Sequence, residues 1–297
     1  MRGAERGFLL LGSTLGNPER KPLTMAQLRT LGERVRMMEQ PEENRELTLR
    51  DLKKLGYGLQ SAQRILDLLE DRELLEIYLN RGARSGCQVL TRVTEGYPEV
   101  LRQKLALESP GCLWCRGDLS LLRTPMVALV GSRDLNPVNG AFAQRVGMEA
   151  ARQGYTLVSG NARGADQTAQ RACLNAGGKV ISIVADELTR HRAGENILYI
   201  SEDSFDAPFS AQRALRRNRL IHSLGRITFV AQSALGMGGT WDGTTRNLRH
   251  GWSRVCCFDD GSAAADAFFR MGAEIIDGEK LSDFSVLEDI SLNLFDQ

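Results

Sequence analysis

The chain has 297 residues, 42% of them hydrophobic, enough for one large or two modest domains with an ordinary core. Its 38 Lys and Arg against 37 Asp and Glu leave a formal net charge of +1, so a polyanion could be attracted only where charge is locally segregated, not by a global excess. No apolar run approaches a membrane span, residues 1–15 lack a small-residue cleavage site, and Cys87, Cys112, Cys115, Cys173, Cys256 and Cys257 are too sparse for a disulfide scaffold. A cytoplasmic protein with reduced thiols and no membrane partner is expected.

Leu28, Leu31 and Val35, then Leu49, Leu52 and Leu55, then Ile65, Leu68 and Leu69 recur at helical spacing, predicting a small helical domain over residues 1–84. Thr48-Leu-Arg-Asp51 places an N-cap Thr three residues before an acid, and Leu55-Gly-Tyr-Gly58 then breaks the helix. This helix-turn-helix outline is read as a packing unit in preference to a DNA-binding hairpin, because few cations crowd the turn. Beyond a linker at 81–86, strands alternate with helices, which predicts an α/β doubly wound, mostly parallel sheet over 85–297. Strands are predicted at 87–92, 112–116, 126–130, 156–159, 180–184, 227–231 and 255–258. Helices are predicted at 141–153, 165–176, 195–200, 214–224, 244–250 and 263–271, and the acidic segment 278–297 is expected to be loosely held.

Ligands of open parallel sheets bind beyond the carboxyl ends of strands. Val130-Gly131-Ser132-Arg133 leaves a strand with a small residue, a hydroxyl and a guanidinium, suited to a phosphate oxygen or a stacked base. In Val158-Ser159-Gly160-Asn161-Ala162-Arg163-Gly164-Ala165-Asp166, two glycines allow close backbone approach. Ser159 and the amides opening the next helix are expected to face an anion, with Asp166 capping that helix. The plainer alternative, glycine for turn geometry alone, leaves the Arg in both turns unexplained. Neither turn is Gly-x-Gly-x-x-Gly and no Gly-x-x-x-x-Gly-Lys-Ser/Thr occurs, so no nucleotide cofactor is expected.

From 207 to 241 there is no Asp or Glu, yet Arg213, Arg216, Arg217, Arg219 and Arg226 all occur. Arg213, Arg216 and Arg217 take neighbouring helical positions while Leu220, Ile221 and Leu224 face the sheet, so a phosphate-rich polymer is the natural partner. His222 is expected to be a surface or packing residue. Gly236-Met-Gly-Gly-Thr240 reads as a further post-strand loop, with Gly239 and Thr240 toward a phosphate and Trp241 either stacking on a base or joining the core. A zinc site built from Cys112, Cys115, Cys256 and Cys257 is disfavoured, since the first pair lies in a strand and the adjacent second pair would point to opposite faces. No metal is expected.

Gly131-Ser-Arg133, Ser159-Gly-Asn-Ala-Arg-Gly-Ala-Asp166 and Arg217-Asn-Arg-Leu-Ile221, in that order within the strand–helix alternation, resemble the DNA-processing protein A family (DprA, also called Smf). Tyr97-Pro98, Leu113-Trp-Cys-Arg-Gly-Asp118 and Gly272-Ala273 are similar to its pattern too, so the likeness covers most of the chain. The resemblance implies an extended Rossmann-like domain preceded by a SAM-like helical domain. It implies a homodimer that binds and protects single-stranded DNA and helps load a RecA-type recombinase in DNA uptake and recombination, without catalytic turnover. Carried over by motif, Ser132, Arg133, Ser159, Gly160, Arg163, Gly164, Arg217, Asn218 and Arg219 would line the phosphate pocket. Asn161, Ala165 and the Gly236–Trp241 turn depart from the family's usual residues, and the sequence reads as ending without the winged-helix-like domain many members carry. A divergent paralogue serving a mobile element or defence system is therefore also an expectation.

The competing reading is a nucleotide sensor or an enzyme resembling cytokinin-activating phosphoribohydrolases, supported by Gly238-Gly239-Thr240. It needs a carboxylate at the ribose, for which Asp166, Asp242 and Glu202 are the candidates. A purely structural interaction protein would leave three anion-ready loops on one sheet edge unexplained.

Overall fold

A computed structural model of the protein describes residues 1–38 and 46–288. The amino-terminal part is helical: α1 (Gly3–Gly12), α2 (Met25–Arg36), α3 (Leu49–Lys54), α4 (Leu59–Glu70) and α5 (Arg72–Arg84). Capping boxes at Thr24 with Gln27 and at Thr48 with Asp51 start α2 and α3, and Gly56, at φ +83°, turns the chain into α4. Leu28, Leu31, Leu52, Ile65 and Leu68 close into one small core, as their helical spacing predicts, and Ala62 joins them. Buried Arg20 donates to the carbonyls of Leu10 (2.5 Å), Ser13 and Leu68 (2.9 Å) and pairs with Asp71 (2.8 Å), tying α1 to the corner between α4 and α5.

The rest of the chain runs β1 (Gln88–Thr91), α6 (Glu99–Leu105), β2 (Cys112–Gly117), β3 (Met126–Val130), α7 (Pro137–Arg152), β4 (Thr156–Ser159), α8 (Ala165–Asn175), β5 (Lys179–Ile183) and β6 (Ile197–Ser201). It continues through α9 (Ala211–Leu224), β7 (Ile227–Val230), α10 (Gly238–His250), β8 (Arg254–Phe258), α11 (Ala263–Arg270), β9 (Glu274–Ile276) and α12 (Phe284–Glu288). The strands form one sheet in the order β1-β2-β6-β5-β4-β3-β7-β8-β9, parallel from β6 to β9 and antiparallel at β1 and β2. In β3, Val127 and Leu129 pack toward one face with Phe142, Val146 and Phe284, while Ala128 and Val130 pack toward the other with Leu220, Leu224 and Phe268. This is the doubly wound α/β architecture expected, and full burial on both faces explains why its strands are continuous apolar runs. No helix among the described residues is long and apolar enough to cross a membrane.

Several expectations need correction. Residues 197–201 form β6 rather than a helix over 195–200: the run Ile-Leu-Tyr-Ile-Ser is too short for periodicity to decide, and pairing with β5 and β2 decides it. α10 begins at Gly238, so Gly239, Thr240 and Trp241 occupy a helical first turn rather than a loop. Residues 278–288 are packed rather than loosely held: Leu281, in a 3-10 turn, and Phe284 and Leu287, on α12, are buried, with Phe284 against Phe229 at 4.9 Å. Residues 289–297 lie outside the described residues. The cysteines of β2 and β8 are six strand steps apart in the sheet, roughly 29 Å at about 4.8 Å per step. They cannot share a metal.

The helices dock on the sheet through an aromatic cluster. Trp114 of β2 meets Tyr78 of α5 edge-on at 5.0 Å and Phe205 at 4.8 Å, and Tyr78 donates to Ser204 Oγ at 2.9 Å. A Cβ on Gly82 would collide with the Trp114 ring. Helix propensity alone predicts that Gly82→Ala stabilises by about 1 kcal/mol. We expect the collision to outweigh it, with a net loss of about 1–3 kcal/mol read as a lower urea midpoint.

Candidate nucleic-acid interface

From β3 the chain proceeds to β4, β5 and β6 on one side, then returns to β7 on the other. Strand order therefore reverses at the β3/β7 pair, where this class of sheet opens a crevice. A cleft of ≈ 390 Å³ sits there, lined by Gly131, Ser132 and Arg133 after β3, Ser233 and Ala234 after β7, Gly238, Gly239 and Thr240 in α10, and Leu215, Arg217 and Asn218 on α9. An adjoining hollow of ≈ 300 Å³ shares Arg133, Ala162, Ala214 and Arg217 with it and extends past Gly160, Asn161 and Arg163 to Asp186 and Phe209. The shared residues make the two one groove.

Ser132 ties this end of the sheet together. Its N–H donates to the Gln232 carbonyl (2.9 Å), its carbonyl accepts from Ala165 N–H (3.1 Å), and its hydroxyl accepts from Asp134 N–H (3.2 Å). Gly164, at φ +88°, lies against the carbonyls of Ser132 and Arg133, where no Cβ fits. The turn holds Arg133 exposed at the groove, with no ion-pair partner among the described residues.

Asp166 is buried in the first turn of α8 and accepts from the backbone N–H groups of Gly160 (3.1 Å) and Ala162 (3.2 Å). Arg217, also buried, lies 4.0 Å from it and donates to the Gly160 carbonyl (2.8 Å) and to Asn218 Oδ1 (3.0 Å). Asn218 in turn donates to the Gly239 carbonyl (3.0 Å), at the start of α10. Burial pushes the Asp166 carboxyl up and the Arg217 guanidinium down, and each opposes the other's shift by its charge. A Cβ on Gly160 would run into the Arg217 guanidinium and push it from its place beside Asp166.

These contacts revise the roles read from sequence. Asp166 braces the loop instead of capping α8, and by accepting from Gly160 and Ala162 it withdraws those amides from any anion. Ser159 is buried and accepts from Gln170 Nε2 (2.6 Å), so neither it nor Gly164 lines the groove. The acid-free span is neutralised from just upstream. Arg213 pairs with Asp203 (3.3 Å), Arg216 with Glu202 (3.2 Å) and Asp203, and Arg219 with Glu202 (2.5 Å). Arg226 pairs with Glu288 (2.9 Å). Of these five arginines only Arg217 reaches the groove. Arg163 does line it and pairs with Asp134 (2.6 Å), but both side chains are exposed, and such a pair exchanges readily for a phosphate. Trp241 stacks on Phe268 at 4.8 Å, and His222 is a packing residue whose Nδ1 faces the Asn247 amide at 3.1 Å.

The anion-ready feature is the start of α10. Met237 at its N-cap gives no side-chain hydrogen bond, and Gly238, Gly239 and Thr240 line the cleft with Ser132 and Arg133. Ser233 and Ala234 line the cleft without having been singled out from sequence, although they follow a predicted strand as Gly131 does. Asp186 and Phe209 were missed because nothing local marks them. The carboxylates a hydrolase would need do not meet: Asp166 is held by Arg217 and the loop amides, Glu202 by Arg216 and Arg219, and Asp242 is exposed on α10.

The profile of the family described as DNA recombination-mediator protein A matches residues 88–250, the whole span from β1 to α10 that builds the groove. The chain belongs to this DprA/Smf family. Protein Smf of Escherichia coli (strain K12) is 30% identical over 198 residues, 63% of this chain and 52% of that protein. The chain spans about half the length of the curated relatives it matches. The X-ray structure of DprA from Streptococcus pneumoniae superposes with a TM-score of 0.66 at 21% identity, over 87% of this chain and 97% of that one. DprA from Helicobacter pylori, whose structure is described as showing a single-stranded DNA binding mode, gives 0.57 at 22% identity, over 68% and 96%. Both share the fold.

Arg217→Ala leaves Asp166 buried without its partner and is expected to cost about 3–5 kcal/mol in urea unfolding, whereas Arg133→Ala should stay within about 0.5 kcal/mol. His222 gives a pH signature. Burial lowers its pKa from 6.5 to about 3, so its neutral form is favoured in the fold. Below pH 6.5 the unfolded chain takes up a proton that the native state refuses, and stability falls by about 1.4 kcal/mol per pH unit toward pH 3. His222→Gln should lack that slope between pH 6.5 and 5, where carboxylates contribute least.

Proposed function

We propose that this chain binds single-stranded DNA in the groove at the β3/β7 switch point, with backbone phosphates passing between Arg133 and the start of α10. The observation that carries this reading is the pairing of an exposed guanidinium, without a counter-ion among the described residues, and a helix start without a side-chain cap across one cleft. The second hollow continues the groove past Arg163, which suits a polymer better than one free nucleotide. Family membership supports a role in DNA processing and recombination, and the single-stranded DNA binding mode of the Helicobacter pylori relative supports the single-stranded substrate. On the same footing we propose that the protein acts in the cytoplasm as a homodimer, protects the strand and assists a RecA-type recombinase. We also propose that residues 1–84 form a helical unit serving the 85–297 nucleic-acid-binding unit.

Fluorescence anisotropy tests the core of this. The parent should bind labelled single strands more tightly as length increases, with affinity falling steeply with salt. Arg133→Ala should weaken every sequence about equally, on the order of tenfold, and reduce the salt slope by about one. Saturation by a mononucleotide, or an Arg133→Ala protein that binds like the parent, would instead favour the nucleotide-sensor reading.

A further inference from the structure

The far hollow of the groove carries a group that a phosphate site should not. Asp186, just beyond the carboxyl end of β5, lines it beside Asn161, Arg163 and Phe209. Arg133, Arg163 and Arg217 line the same hollow and attract a phosphate, but the Asp186 carboxylate opposes one at its own side, which suits a hydrogen-bond donor instead. The carboxylate is also held in place. One oxygen accepts from His191 Nε2 at 2.9 Å, and the His191 ring is stacked on Tyr199 at 4.7 Å and 19°. With Nε2 donating, Nδ1 is an acceptor that faces the Asn161 side-chain amide at 3.5 Å, leaving Asn161 Oδ1 for other contacts. Asn161 itself sits at φ +58°, fixed in the loop that Asp166 braces. The second Asp186 oxygen has no hydrogen-bond partner among the described residues. Phe209, 57% exposed, offers a bare aromatic face to the same hollow.

An aromatic face with two acceptors beside it is the chemistry of a nucleobase site. Guanine alone among the DNA bases presents two adjacent donors, N1–H and the N2 amino group, on its pairing edge. Adenine and cytosine each set one amino group beside a ring acceptor, which the carboxylate would repel. Thymine sets a single N–H between two carbonyls.

We propose that Phe209, Asp186 and Asn161 form a nucleobase subsite that prefers guanine, an inference that rests on the single-strand reading of the groove. Phe209 stacks on the base, Asp186 accepts from its pairing edge, and His191 is a positioning residue that orients both Asp186 and Asn161. The phosphates flanking that nucleotide lie toward Arg133 and Arg163.

The test is anisotropy with the full chain and short thymidine strands carrying one central dG, dA, dC or deoxyinosine, the last lacking the N2 amino group. The parent should bind the dG strand about tenfold more tightly than the deoxyinosine strand. Asp186→Asn keeps an oxygen for His191, so it should fold. It should lose the difference between dG and deoxyinosine strands. Phe209→Ala should weaken all strands by about tenfold. Equal binding of dG and deoxyinosine strands by the parent overturns the subsite and leaves strand binding standing, as does a preference that survives Asp186→Asn. Failure of the parent to bind any single strand overturns both readings.

Discussion

The Asp166–Arg217 pair is the interaction on which the groove depends. It joins the first turn of α8, and through it the loop after β4, to α9, more than fifty residues on in sequence, across the carboxyl edge of the sheet. Both groups are buried, where an unpaired charge would be strongly disfavoured, so neither can leave without disturbing the other. The pair also spreads its influence. Asp166 fixes the amides of Gly160 and Ala162, Arg217 grips the Gly160 carbonyl, and Asn218 carries the link to the first turn of α10. The helix start that faces the cleft is thus oriented by a network whose charged members are withdrawn from solvent.

That arrangement separates two jobs an arginine-rich segment could do. Arg217 and Arg219 are structural cations, one under the loop after β4 and one on Glu202. Arg133 and Arg163 are exposed ones, on turns that follow β3 and β4. A protein with a formal charge of +1 cannot draw DNA from a distance through its overall field. In the proposed reading, affinity would come from short-range contact with these few groups, and salt would weigh on it through them.

The helical segment and the sheet are coupled through the antiparallel edge. β1 and β2 extend the sheet beyond β6, and Trp114 on β2 gives α5 and Phe205 a common aromatic contact. Phe205 leads directly into the stretch containing Phe209 and α9. A disturbance at the Tyr78–Trp114 contact therefore has a short covalent route to the groove.

Much of this was legible in the sequence because it is local. Buried parallel strands announce themselves as apolar runs, turns after strands require glycine, and Thr caps mark helix starts, so the doubly wound α/β fold and the turns at Gly131 and Gly160 follow from residues a few positions apart. The family motifs fall in the same segments. Tertiary structure alone decided the charge. Glu202 and Asp203 stand just outside the acid-free span, and β6, a strand too short for periodicity to identify, delivers them to Arg213, Arg216 and Arg219. Asp166 likewise turned from a helix cap into a loop brace because Arg217 comes to it from α9. Asp186 and Phe209 become neighbours only across the groove. Ion pairing and pocket composition depend on which strand edges the sheet order sets side by side, and no window along the chain contains that order.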